Sequence, residues 1–266
     1  MKRIIFILAS ISLLSCARLP GTDKRAFLLT SEDSENSQGA DAYKEILSKE
    51  KIITNSKASK IVEEIGNDLA KISGKPEYVW EFKTIDSPNT PNAFCLPGGK
   101  VAVYTGLFPY AQNEAGLAAV MGHEIGHALL RHGGQRMSQQ MATNAAMAGL
   151  AVIGLSKMDS TKKTLVMAAL GAGATYGVIL PFSRSHETEA DEIGLVLMAK
   201  AGYDPREAVN FWDRFSKADG GKSPPEFLST HPNSHNRKEY LKSLLPKVMP
   251  YYEASKKKGI GRNLIP

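Results

Sequence analysis

Cysteine is scarce in this 266-residue chain: Cys16 and Cys95 are the only two, and they form no CxxC pair. That count excludes a disulfide framework and a dithiol redox site. With Cys16 modified, as argued below, Cys95 is a lone thiol, read as a small apolar residue inside a strand. Long apolar runs are also lacking at the N-terminus, where IIFILASISLL covers eleven residues, too few to cross a bilayer. There is no internal repeat, which excludes a solenoid. The formal net charge is +6, but lysine and arginine are scattered and no basic run is interleaved with aromatics. No nucleic-acid partner is therefore expected.

What is present begins at the N-terminus. A basic MKR, the short apolar run and a closing LLSC (Leu13 to Cys16) read as a signal peptide over residues 1–15. The LLSC stretch resembles the lipobox of bacterial lipoproteins, which predicts lipidation of Cys16 and a membrane-anchored, periplasmic protein. Ala17, where an Asp would mark inner-membrane retention, points to the outer membrane. TSEDSENSQGAD is polar and without periodicity, so residues 16–40 are predicted to be a lipidated N-terminus and flexible tether. The KKKGIGR run suggests that residues 251–266 are a solvated basic tail touching anionic headgroups. Between them, residues 41–250 suit one globular domain, given 42% hydrophobic and 23% charged residues overall.

Within that domain, Ile61, Ile65, Leu69 and Ile72 form one helical stripe. YVWEFKTID alternates as a strand does, and two short strands, 93–96 and 101–105, flank a PGGK turn. A helix is predicted from Asn113 to about His132, stopped by Gly133 and Gly134. Residues 137–182 are an apolar, Ala- and Gly-rich helical insert, read as a lid beside the cleft rather than a pair of spans. A helix follows over about 185–201, and another is capped at Asp204-Pro205, with Glu207 set for a capping box. NRKEYLKSLL is the last helix. The fold class is α+β and mainly helical, with a small sheet beside the central helix.

That central helix carries AAVMGHEIGHALL, an HExxH made by His123, Glu124 and His127. Residues i and i+4 share a helix face, so both imidazoles can reach one ion. A catalytic zinc takes three protein ligands and a water, whose proton a nearby carboxylate such as Glu124 can accept. One Zn2+ per chain is expected. The third ligand is not the one of the HExxHxxGxxH pattern, whose Gly and His would fall on Leu130 and Gly133. His132 is one residue early. At about 100° per residue a continuous helix would turn it to the opposite face, so it reads as a helix-end residue. SRSHETEADEIG, Ser183 to Gly194, supplies a better candidate. Glu187, Asp191 and Gly194 stand at i, i+4 and i+7 on one face. Glu187 is then the third ligand, Asp191 orients a ligating imidazole from behind, and Gly194 lets a second helix approach. Glu189 and Glu192 are left facing water, and His186 is not taken as a ligand.

HExxH with a downstream ExxxD resembles the zinc endopeptidase family of the CAAX-prenyl proteases and the heat-shock protease HtpX, in the gluzincin class. Within it the chain is most similar to the periplasmic LoiP- and BepA-like lipoprotein members and to mitochondrial inner-membrane stress proteases. PNAFCLPGGKVAVYTGLF, the trailing AGYDP and STHPNSHNR extend the resemblance over about residues 41–245. It implies a zincin-type domain, with zinc on His123, His127 and Glu187 and with Glu124 as base. The late His-Pro…Arg element carries over to His231 and Arg237, as groups that stabilise an oxyanion. In some members that His instead approaches the metal and restrains activity. The implied substrates are misfolded or unassembled envelope proteins, bound as an extended strand along the strand after PNAF. The rival reading is a chaperone-like binding protein whose metal site is quiescent.

Overall fold

The structure is a computed structural model and describes residues 16–18, 25–154, 159, 161, 180–217, 231 and 237–264. The expected signal peptide, the core of the apolar insert and most of the STHPNSHNR stretch lie outside these residues. In chain order the elements are β1 (Cys16–Arg18), β2 (Arg25–Phe27), α1 (Glu32–Ser48), β3 (Ile52–Ile53), α2 (Lys57–Ile72) and β4 (Glu81–Ile85). There follow β5 (Ala93–Leu96), β6 (Lys100–Tyr104), a 3-10 turn over Thr105–Leu107 and the short α3 (Phe108–Ala111). The remainder is helical: α4 (Glu114–Leu129), α5 (His132–Gly154), α6 (Leu180–Lys200), α7 (Arg206–Lys217) and α8 (Arg237–Ala254).

Helix α4 is the axis of the molecule, and every one of its residues is buried. It therefore shows no polar face, as a helix surrounded on all sides need not. Its neighbours are α6, α7, α2 and strand β5. The sheet has the order β3-β4-β6-β5, with β4 and β6 parallel and both outer strands antiparallel to their neighbours. Ala93 pairs with Val103 and Leu96 with Lys100, which leaves β5 as the edge strand beside α4. Ile61, Ile65 and Leu69 of α2 enter the core as their stripe predicts, while Ile72 remains 37% exposed.

Helices α4 and α6 meet backbone to backbone. A Cβ on Gly122 would stand 2.9 Å from the Gly194 carbonyl oxygen, one on Gly126 2.9 Å from that of Ala190, and one on Gly194 2.7 Å from the amide nitrogen of His123. Only glycine permits that approach, as the i, i+7 placement of Gly194 predicted.

Two expectations about the ends of elements are corrected and a third is refined. Residues 32–40 are not a tether: they form the first half of α1, started by Ser31, whose side chain accepts from the Ser34 amide. The helix buries Glu35, Gly39 and Tyr43 at four-residue intervals, a stripe hidden because two of its members are not apolar. The basic tail is solvated as expected, with Lys256, Lys257, Lys258 and Arg262 exposed, but its main chain is docked on α4. The carbonyls of Arg262 and Ile260 accept from the amides of Glu114 and Ala115 at 3.1 Å each, and Lys258 pairs with Asp68. These contacts satisfy donors that the first turn of a helix leaves free. Finally, α4 ends at Leu129 rather than at the glycines. Arg131 takes φ 52°, a left-handed conformation, and Gly133 and Gly134 lie in the first turn of α5, which starts at His132. At α7, Asp204 caps as expected, its Oδ1 accepting the Arg206 amide at 3.0 Å. The Glu207 side chain accepts instead from the Asn113 side-chain amide at 3.1 Å.

Candidate metal centre

The fixed α4–α6 contact sets His123 and His127 against Glu187. Their Nε2 atoms lie 3.1 Å apart, and each is 3.3 Å from a Glu187 carboxylate oxygen. His231 joins them: its Nδ1 is 3.2 Å from His123 Nε2 and 3.1 Å from Glu187 Oε2. One donor atom from each of these four buried residues lies within 4.8 Å of the others. Ligands about 2.1 Å from a tetrahedral ion stand about 3.4 Å from one another, so the spacings fit a metal ion. Glu124 is 3% exposed, and its Oε1 lies 3.3 Å from His231 Nε2 without a hydrogen-bond partner. A buried oxygen left in that state is one more sign that the set is built around a group it can serve.

The electrostatics agree. Burial and the Arg237 charge oppose a proton on His123, but Asp191 and Glu187 outweigh them and push its pKa up to about 9. A site that pulls a proton onto an imidazole nitrogen will also pull a cation. Burial would raise the Glu187 carboxyl, yet His123, His127 and His231 hold it far below the carboxylate range. Burial lowers His127 well below its ordinary value, favouring the neutral imidazole that ligates metals. Burial raises Glu124.

Behind the ring of donors, Asp191 Oδ1 is 2.9 Å from His123 Nδ1, where helix phase expects it. Arg237 donates to the same Oδ1 at 2.6 Å and lies 3.5 Å from Glu187 Oε2. Its guanidinium stacks on Trp212 of α7, 3.4 Å from the ring centroid. Arg237 is thus enclosed among Asp191, Glu187, His123 and Trp212, whereas the sequence reading aims it at an oxyanion. Burial alone would raise Asp191, but Arg237 and His123 hold its carboxyl low.

The sequence reading also misplaces three side chains of the neighbouring shell, those of His132, Glu189 and Glu192, and leaves His186 without a partner it has. His132 does not turn away: its Nδ1 lies 2.9 Å from His127 Nδ1. Glu189 does not simply face water, because its Oε2 is 3.3 Å from His132 Nε2. His186 is stacked on His132, with centroids 3.9 Å apart and planes at 10°. The helical phase used for His132 fails at Arg131, where the helix has already ended. Glu192 accepts from the Tyr240 hydroxyl and is only half-exposed.

A model of peptidase family M48 matches residues 56–245. The chain belongs to peptidase family M48. It is 36% identical over 242 residues to the mitochondrial metalloendopeptidase OMA1 of Schizosaccharomyces pombe, covering 89% of this chain and 68% of that protein. To the OMA1 metalloendopeptidase of Saccharomyces cerevisiae it is 35% identical, over 68% of this chain and 52% of the relative. The β-barrel assembly-enhancing protease of Yersinia pestis is 29% identical over 89% of this chain and 49% of the relative. The chain thus spans about two thirds of the first of these M48 proteins and about half of the other two. By class it is a metalloendopeptidase of this family.

These relatives overturn the expected setting. A periplasmic, lipid-anchored protein of the outer membrane was the reading of LLSC, but the relatives at 35% and 36% identity are mitochondrial by name. The backbone of Cys16 lies in β1, opposite Phe27 of β2. Among the described residues no helix is long and apolar enough to cross a membrane.

Proposed function

We propose that this M48 peptidase is a zinc-dependent endopeptidase that cleaves misfolded or unassembled proteins, with zinc on His123, His127 and Glu187 and with Glu124 as general base. The observation that carries this reading is the convergence of two imidazole Nε2 atoms and a carboxylate at about 3.3 Å, beside a Glu124 oxygen that has no hydrogen-bond partner. Zinc, when bound, would acidify a water and polarise the scissile carbonyl. Glu124 takes the proton of the attacking water and passes it to the leaving amine. Burial raises its pKa toward the working pH, which suits a group that must both accept and return a proton. Asp191 holds the His123 tautomer that aims Nε2 inward. Arg237 keeps Asp191 and Glu187 in place, and through them the ligand set.

The substrate class follows from β5, an edge strand packed on α4. A peptide added to that edge is read mainly through its main chain, which favours extended or unfolded segments over any one side-chain sequence. The name of the Yersinia pestis relative, which refers to assembly of β-barrels, agrees with unassembled proteins as a substrate class.

One observation favours a second state of the same site. His231 is within the donor group, and four protein ligands saturate a tetrahedral ion, as in structural rather than catalytic sites. In that arrangement the site would be quiescent, with His231 helping to hold the ion, and His231 would have to move aside before cleavage. Once displaced toward the substrate it can donate to the oxyanion.

The test is cleavage of unfolded casein by the wild-type protein, with and without chelator, and by Glu124→Gln. Loss of the base should reduce turnover by about 10²-fold or more while zinc content is retained, and the chelator should abolish cleavage reversibly. Equal cleavage by wild type and Glu124→Gln would sink the mechanism.

A further inference from the structure

His132 is fully buried and lies against a proposed zinc ligand, yet no role in the site so far requires it. Its Nδ1 faces His127 Nδ1 at 2.9 Å. Two ring nitrogens at that distance share one proton, and the rest of the site decides which carries it. For His127 to ligate through Nε2, its proton must sit on Nδ1. His132 Nδ1 is then the bare acceptor, and its own proton sits on Nε2. That nitrogen lies 3.3 Å from Glu189 Oε2, a carboxylate able to accept it. The pattern closes in one direction only. The ring plane is held by His186, stacked at 3.9 Å, whose Nε2 is in turn 3.3 Å from Gln135 Oε1.

We propose that His132 is the positioning residue for His127, as Asp191 is for His123, and that Glu189 anchors His132 in the tautomer the task needs. The inference rests on His127 being a zinc ligand. It gives each imidazole of the HExxH pair its own acceptor, one charged and one neutral. A neutral acceptor fixes orientation without placing a second negative charge directly behind the ion. The chain turn that makes this possible is the left-handed Arg131, held by the carboxylate of Glu35 at 2.8 and 2.9 Å. Without that turn His132 would continue along α4 and point elsewhere.

The experiment measures zinc affinity of the purified full chain by competition with a chromogenic chelator, so the readout does not depend on cleavage. His132→Leu removes the acceptor and is expected to weaken zinc binding about 10- to 100-fold, as loss of an outer-shell partner does. His132→Asn returns an oxygen near the Nδ1 position and should stay within about threefold of wild type. Glu189→Leu, a change at a partly exposed position, should weaken binding by a smaller factor and serves if His132→Leu does not fold. Wild-type affinity in His132→Leu or, failing that, in Glu189→Leu would overturn the proposal. So would equal weakening by Leu and Asn at 132, which marks a packing role. If instead His127→Ala binds zinc as the wild type does, the ligand assignment itself is wrong and this role falls with it.

Discussion

The two ends of helix α4 are held by different physics. At its start, Asn113 Oδ1 accepts the Gly116 amide at 2.8 Å, and the carbonyls of Arg262 and Ile260 take the next free amides. The Arg262 side chain pairs with Glu114 and Glu64 while remaining 48% exposed. At its end, Arg131 donates to both oxygens of Glu35, a residue 1% exposed, and to the Thr30 carbonyl at 2.9 Å. Gln135 Nε2 closes the Leu130 carbonyl at 2.6 Å. The first end is a cap made of main chain, with solvated charges around it. The second is a buried bidentate pair that bends the chain through φ 52° and delivers His132 to His127. An end that only terminates a helix tolerates substitution; an end that also aims a side chain into the centre does not.

The middle of α4 sets the scale for both. Gly194→Ala would put a methyl 2.7 Å from the His123 backbone nitrogen, and neither helix backbone can yield without moving a ligand. Destabilisation of about 3 kcal/mol is expected, with loss of zinc affinity, by chemical denaturation and chelator competition. A folded Gly194→Ala with wild-type affinity would mean that α4 and α6 are not locked.

Next in size is the buried end. Glu35→Ala leaves the Arg131 guanidinium without its carboxylate. Breaking one partner of a buried pair costs about 3 kcal/mol, and the left-handed turn loses its hold. Zinc affinity should fall along with stability, because His132 depends on that turn. Arg131→Gly sharpens the point: it also breaks the buried pair, leaving Glu35 without its guanidinium, but glycine accepts φ 52° without strain, so the turn survives and zinc affinity should lie between that of Glu35→Ala and wild type. If Glu35→Ala lowers stability but leaves zinc affinity untouched, the buried end is a clamp and nothing more.

The same contrast separates what was legible in the chain from what was not. Within one helix, phase suffices: Glu187, Asp191 and Gly194 were read onto one face from spacing alone, and the structure puts them there. The HExxH pair was legible for the same reason. Where two helices join, phase says nothing. His132 was turned away from the site because α4 was continued through Arg131, and a left-handed arginine is stabilised by Glu35, a residue 96 positions upstream. Glycines 133 and 134 looked like a stop, yet Gly134 lies in the first turn of α5, where the Glu35 carboxylate leaves no room for a Cβ. Residues 32–40 read as tether because the face they bury contains Glu35 and Gly39, which carry no apolar signal. The docking of the tail on α4 was not legible because its partners, Asp68, Glu64 and Glu114, are brought to it only by the fold.

The smallest effect belongs to the solvated end. Arg262→Ala removes the pairs with Glu114 and Glu64 but leaves the Arg262 and Ile260 carbonyls free to cap α4. Pairs this exposed contribute less than about 1 kcal/mol, and salt screens them further. Stability should fall by no more than that, the loss should shrink as ionic strength rises, and zinc affinity should match wild type. Coupled with Glu35→Ala, the two losses should add within about 0.5 kcal/mol, since the sites share no partner. A larger coupling, or a zinc affinity that follows Arg262, would mean that α4 transmits displacement along its axis from cap to turn. The two ends would then be one device, and the main-chain cap would belong to the centre as much as the buried pair does.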